Sequence, residues 1–264
     1  MSVRRARSIL VSETLVCALL LSCQLDRKPA PFDALRARLP DLEVYPAGAA
    51  GPRLVFSEKV WAHHVNTIEK ALWVAEKYTG IEMDIVFDSL GKTFEVRHPP
   101  REVSGPGLEQ MLATIPDVSE HYFWLDFKNL EEGNKREALL ALKTLLARYQ
   151  LLHRVIVESP ETEALSLFTQ EGFYTSYYLP TFDIATASPG ELQAYYNEVR
   201  EHLSRSRVSA LSAPAASFVF MEKYFPDRDY LVWHLNRQDS LFHSTLSWLE
   251  GNKAIKVLLV TPEH

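Results

Sequence analysis

Eight short apolar runs alternating with helical segments constrain this chain more than any other feature of its 264 residues. The runs are 60–63, 81–87, 122–127, 154–158, 173–178, 208–211, 230–235 and 255–260, rich in Val, Ile, Phe, Tyr and Leu. Near-continuous apolar runs of four to seven residues suit strands covered on both faces, as in parallel sheets. Helical spacing lies between them. Segment 66–78 is predicted to bury Ile68, Leu72 and Ala75, and segment 134–149 to bury Leu139, Leu142, Leu145 and Leu146. Further helices are expected over 161–170, 191–203, 214–224 and 239–249, with a shorter one over 107–114. Ser-Pro pairs open two of them, and Gly172 and Gly251 act as stop signals. Strand–helix alternation repeated this often, joined by right-handed crossovers, predicts an α/β fold: a single (β/α)8 TIM-type barrel over 53–264. An open doubly wound sheet is the rival, but it carries a Gly-rich loop after its first strand, and none is present.

The N-terminus reads as a targeting segment. Arg4, Arg5 and Arg7 precede the apolar run 15–21, which is far shorter than the ~20 residues a spanning helix needs. Leu20-Leu21-Ser22-Cys23 matches the pattern at which bacterial lipoproteins are cleaved and lipidated. The expectation is a signal peptide over 1–22, a lipidated tether and irregular lead-in over 23–52, and an exported protein held to a membrane through Cys23. Gln24 after that cysteine favours the outer membrane in a Gram-negative cell. The only other cysteine, Cys17, lies in the segment to be removed, so no disulfide or thiol metal site is expected. A net charge of −6 without a basic cluster beyond the first residues argues against a nucleic-acid partner.

Barrel active sites form at the C-terminal ends of strands, so reactive residues are sought there. The first strand ends in Trp61-Ala62-His63-His64-Val65-Asn66-Thr67. In the second, Glu82 and Asp84 are two apart and share one side. If that side is the barrel interior, the two carboxylates repel unless a cation joins them. A hard divalent ion, Mg²⁺ or Ca²⁺, answers this, because it prefers oxygen ligands. An outward, solvated pair is the alternative. A hairpin over 88–92 leads to His98-Pro99-Pro100, and the third strand ends in Asp126-Phe127-Lys128. Asp126 completes a three-carboxylate set, and Lys128 offers a point charge to a phosphate oxygen. Two histidines near their ordinary value of ~6.5 suit paired acid and base roles. Glu158 and Ser176 are further pocket candidates. Trp233 is either a stacking surface for a ligand or a core residue. No Gly-x-Ser-x-Gly is present, so serine hydrolase chemistry has no motif.

These residues, in this order, resemble the phospholipase C-like phosphodiesterase superfamily. Its members include glycerophosphodiester phosphodiesterases, sphingomyelinase D-type enzymes and the menorin family. The pattern is most like menorin: Trp61-Ala62-His63, Val65-Asn66, Glu82-Met83-Asp84, His98-Pro99-Pro100 and Leu125-Asp126-Phe127-Lys128. Val232-Trp233-His234-Leu235-Asn236 and Leu258-Leu259-Val260-Thr261-Pro262 resemble the last strands of the glycerophosphodiesterases. The resemblance implies a TIM-type barrel and a metal-dependent phosphodiesterase or phosphodiester lyase. It implies His63 and His98 as the acid–base pair, with His64 able to replace His63. It implies Glu82, Asp84 and Asp126 as ligands of one divalent ion. Lys128, Asn66, His64, Glu158 and Trp233 would then contact phosphate or substrate. Where glycerophosphodiesterases carry His-Arg-Gly, this chain has His63-His64-Val65; where the toxin-type enzymes carry a cysteine-bridged loop, it has Pro99-Pro100-Arg101. The expected substrate is a phospholipid-type or glycerophosphodiester-type diester, attacked by water or by an internal hydroxyl. The rival readings are a non-catalytic ligand- or protein-binding module on a lipoprotein tether, and a glycosidase using Glu82 and Asp126 as opposed carboxylates.

Overall fold

The computed structural model of this chain describes residues 32–46, 51–100, 104–234 and 242–262. The expected signal segment, Cys17, the proposed lipid anchor Cys23, the start of the tether, Arg101 and the 235–236 pair lie outside the described residues.

Among the described residues nine strands form one sheet: β1 (Val60–Ala62), β2 (Gly80–Asp88), β3 (Thr93–Val96), β4 (Tyr122–Phe127), β5 (Val155–Ser159), β6 (Tyr174–Tyr178), β7 (Ala210–Pro214), β8 (Asp229–His234) and β9 (Ile255–Val260). All neighbours are parallel except β2 and β3, which form an antiparallel hairpin. β1 pairs with both β2 and β9, so the eight parallel strands close on themselves. This is the expected (β/α)8 barrel. The helices are α1 (Asp33–Arg38), α2 (Ile68–Ala75), α3 (Leu108–Thr114), α4 (Lys135–Arg148), α5 (Thr162–Gln170), α6 (Pro189–Arg205), α7 (Phe218–Tyr224) and α8 (Phe242–Gly251). No described helix is long and apolar enough to cross a membrane.

Local chemistry explains the element ends. Ser188 and Glu191 form a reciprocal capping box at the start of α6, with Pro189 at its first position. Gly172 has a φ of +91°, the left-handed value that lets it end the α5 segment. The Leu139, Leu142, Leu145 and Leu146 stripe of α4 is buried, as its spacing predicts. The α2 stripe differs from expectation. Ala71 and Val74 face the core, whereas Leu72 is 42% exposed. Ile68 and Ala75 pack partly buried against the core beside them, so of the expected stripe only Leu72 lies off the buried face. β7 also lies two residues later than predicted, and the helix after it opens with a 3-10 turn, Ala215–Ser217. The lead-in is less irregular than expected: it contains α1, and Phe32 packs edge-on against Trp248 at 5.4 Å.

The strands alternate between two cores. Outward residues such as Ile81, Met83, Ile85, Phe123, Leu125 and Phe127 join the layer beneath the helices. Inward residues form a second cluster with Trp61, Trp124, Ile156, Tyr174, Leu231, Trp233, Val257 and Leu259. Phe56 closes its lower end, touching Trp61, Tyr122 and Tyr174 edge-on at 5.1, 5.6 and 5.7 Å. Gly80 is needed here because the Trp61 indole occupies the place of its missing side chain. Gly80→Ala should therefore cost about 1–3 kcal/mol by overpacking. Urea unfolding of the two proteins checks this, with a lower midpoint and an unchanged slope expected for the variant.

Candidate active site

The inward positions change from apolar to polar at the C-terminal ends of β1, β2, β4 and β5. Parallel register sets the level of each group. Asp84 pairs with Asp126, Asp126 with Glu158, and Glu158 with Ser176. Three acids on adjacent strands thus stand in one row, and Glu82 lies one inward position below Asp84. Glu82, Asp84 and Asp126 each offer an oxygen within 4.8 Å of the others. Glu82, Asp84 and Glu158 are at most 2% exposed, and Asp126 is 9% exposed. The outward, solvated alternative for Glu82 and Asp84 is excluded.

Hydrogen bonds hold the carboxylates in place. Asn66 Nδ2 donates to Asp84 Oδ2 (2.5 Å), and the Asp84 amide donates back to Asn66 Oδ1 (3.0 Å). The His64 amide donates to Glu82 Oε2 (2.6 Å). The Lys128 ammonium lies 2.8 Å from Asp84 Oδ1 and also hydrogen-bonds Asp126. It therefore ties two carboxylates together rather than projecting free into the cavity. Glu158 Oε2 accepts from Trp124 Nε1 (2.9 Å), the Ser212 hydroxyl also lies against this carboxylate, and the Ser176 hydroxyl is buried without a partner.

Charge is unevenly compensated. Burial, and then Asp84 and Asp126, push the Glu82 carboxyl well above its usual value. Burial and Asp126 do the same to Glu158. Burial raises Asp126 despite Lys128 beside it. For Asp84 burial acts in the same direction, but Lys128 and Asn66 outweigh it and hold the group low. Those two aspartates in turn hold the Lys128 ammonium charged against its own burial. One ammonium thus faces three clustered carboxylates, and an all-oxygen donor set short of positive charge fits a hard divalent cation.

Three imidazoles meet beside this cluster. His63 is buried, with Nε2 3.7 Å from Glu82 Oε2 and Nδ1 unpartnered. His64 is half exposed, with Nδ1 3.7 Å from Asp84 Oδ2. The two rings meet edge-on at 4.2 Å, and His64 stacks on His98 at 5.9 Å. His98 Nδ1 donates to the Pro99 carbonyl, which leaves Nε2 as its basic nitrogen. All three line a cavity of about 130 Å³ together with Glu82, Asp126, Lys128 and Glu158. Tyr178 and Trp233 form its opposite wall, stacked at 5.2 Å and 16°. A second cavity of about 380 Å³ continues outward past His64, Asn66 and His98. A larger groove of about 1000 Å³ lies outside the barrel between β3, α3 and α4 and contains none of these groups.

The structure thus brings together His63, His64, Asn66, Glu82, Asp84, His98, Asp126, Lys128, Glu158 and Trp233. One expectation fails. His63 does not titrate near 6.5, because burial and then His64 push it down to about 3. Burial lowers His64 as well, against the pull of Asp84. Lys70 escaped sequence reasoning: its Nζ donates to the carbonyls of His63 and His64, both at 2.8 Å. Its only sequence signal was a cation in the first turn of a helix, where the dipole disfavours one.

Comparison with known proteins places the fold. No family model matches the chain, and no curated protein matches it. Among solved structures, a glycerophosphodiester phosphodiesterase from Parabacteroides distasonis aligns at a TM-score of 0.53 and 15% identity, over 78% of this chain and 93% of that one. An Oleispira antarctica phosphodiesterase, solved with the product sn-glycerol-3-phosphate, aligns at 0.50 and 13% identity, over 76% and 92%. At these identities the likeness establishes the shared barrel.

The raised Glu158 carboxyl gives a signed prediction. A group whose folded-state value exceeds its unfolded one supports folding below the unfolded value, here 4.5, and loses that support as pH rises. Glu158→Gln keeps the shape and removes the charge. In chelator-treated protein it should raise the Tm at pH 8, and the gain should vanish as pH falls to 4.5. Thermal scans across that range check both ends.

Proposed function

We propose that this chain is a divalent-metal-dependent phosphodiesterase or phosphodiester lyase. Its substrate class is a phospholipid-type or glycerophosphodiester-type diester, cleaved with histidine acid–base catalysis. One observation carries the reading: three buried carboxylates, an ammonium and three imidazoles converge on one cavity at the strand ends of a closed barrel. Glycerophosphodiester phosphodiesterases among the structures sharing this fold, and the menorin-like order of the motifs, support it.

In this reading Glu82, Asp84 and Asp126 hold one Mg²⁺ or Ca²⁺. The ion would polarise phosphoryl oxygens and neutralise charge developing on them. The protein's own groups do the rest. Lys128, which bridges Asp84 and Asp126 without the ion, would be released from that bridge by it and turn its positive charge toward the diester. His98, with Nδ1 engaged by Pro99, exchanges a proton through Nε2. His63, held neutral at physiological pH by burial, is an acceptor from the attacking hydroxyl. That hydroxyl belongs to water in a hydrolase, or to the substrate itself in a lyase, which yields a cyclic phosphate. Asn66 fixes Asp84, and Trp233 offers a flat apolar wall to the substituent of the diester. An exported, lipid-anchored protein tethered through Cys23 would present this site to headgroups at a membrane.

Glu82→Gln should weaken Mg²⁺ and Ca²⁺ binding by at least about tenfold, the lower bound typical of residues that only orient metal ligands. Isothermal titration checks this; binding equal to wild type removes Glu82 from the ion. His98→Ala should abolish cleavage of glycerophosphodiester and lysophospholipid substrates while leaving ion affinity intact. A wild-type protein that binds these diesters with the ion present but cleaves none would instead be a binding module.

A further inference from the structure

Successive residues of a strand point to opposite sides, so His63 and His64 should not enter one cavity. Trp61 and His63 face the barrel interior, which directs His64 outward if β1 simply continues. Instead His64 has a φ of +57°, in the left-handed region that side chains other than glycine rarely adopt. That turn brings both rings to the same cavity, 4.2 Å apart, and stacks His64 on His98.

The same turn directs two consecutive carbonyls, those of His63 and His64, toward one point. Lys70 Nζ occupies that point, 2.8 Å from each oxygen. Lys70 is the third residue of α2, and its amide donates to the Thr67 cap (3.2 Å). An ammonium there opposes the helix dipole. Two local rules are therefore broken by residues that touch each other, and broken rules that compensate one another mark a constraint imposed by a site.

We propose that Lys70 is a positioning residue whose ammonium, by clamping the His63 and His64 carbonyls, holds the left-handed turn that brings two adjacent imidazoles into one reaction cavity. The consequence for catalysis rests on the function proposed above; the clamp itself does not. Lys70 touches the backbone of the site and acts through the orientation of the rings.

A double-mutant cycle with Lys70→Met and His64→Gly tests the clamp, because glycine takes a positive φ without strain. Lys70→Met should lower the Tm in the wild-type background, and by roughly half as much or less in the His64→Gly background. The ring-to-ring NOE between His64 and His98 should be lost in Lys70→Met while the barrel NOEs persist. Equal Tm losses in both backgrounds, or a retained His64–His98 NOE in Lys70→Met, would overturn the proposal. If Lys70→Met does not fold, Lys70→Gln goes through the same two measurements. With bis(4-nitrophenyl) phosphate and Mg²⁺, the Lys70 variant should lose kcat with KM little changed; a KM effect alone would contradict ring positioning. A wild-type protein inert toward this diester counts against the proposed function, and the cycle and the NOE still decide the clamp.

Discussion

Parallel register is the constraint on which the rest of this molecule depends. It sets Asp84, Asp126 and Glu158 side by side on three adjacent strands, about 4.8 Å apart. Once the barrel closes, these groups have nowhere to turn except the interior. Four buried carboxyls, counting Glu82, then share one space with the Lys128 ammonium, and like charges at such spacing raise one another's affinity for protons. A fold that only needed stability would fill these positions with apolar side chains. Instead the inward positions turn polar at their row, with the apolar Trp124 and Ile156 one level below on β4 and β5 and Glu82 already polar at that level on β2. The cluster is thus a stored electrostatic demand for positive charge, placed where barrel enzymes work.

The surrounding groups meet that demand in part and shape what remains. Asn66 binds Asp84 through both ends of its amide, and the His64 amide holds Glu82, so two carboxylates are oriented before any ligand arrives. Both contacts come from the segment that leaves β1, the same segment that Lys70 fixes from the first turn of α2. One short stretch therefore sets two acids and two imidazoles at once. The aromatic pair Tyr178 and Trp233 closes the far wall, so the cavity joins an ionic side to an apolar one. That polarity suits the proposed diester, with its charged phosphorus centre and less polar substituents.

Much of this was legible in the sequence. Eight apolar runs gave the barrel because parallel strands are apolar on both faces, and the two-residue spacings Glu82–Asp84 and Asp126–Lys128 put each pair on one side. In α2 only Leu72 was misplaced, because the buried face centres on Ala71 and Val74, with Ile68 and Ala75 at its margin and Leu72 beyond it. β7 starts two residues late because burial and pairing do not begin together: Val208 and Ser209 are buried, yet the ladder to β8 begins only at Ala210. The protonation of His63 was out of reach, since it depends on burial that no local pattern encodes. Lys70 was missed because its partners are backbone carbonyls, which leave no trace in side-chain spacing. The choice between His63 and His64 could not be made from strand alternation, and the left-handed turn shows why: alternation fails at that residue.

The most direct test of the account is the location of a bound divalent ion. Mn²⁺ prefers the same oxygen ligands as Mg²⁺ and scatters X-rays anomalously, so crystals grown with it report the position of the ion itself. The account predicts one strong anomalous peak between the carboxylates of Glu82, Asp84 and Asp126, with the Lys128 ammonium displaced from its bridge. Crystals that diffract well, contain Mn²⁺, and show no peak there, with Lys128 still joining Asp84 to Asp126, would contradict it.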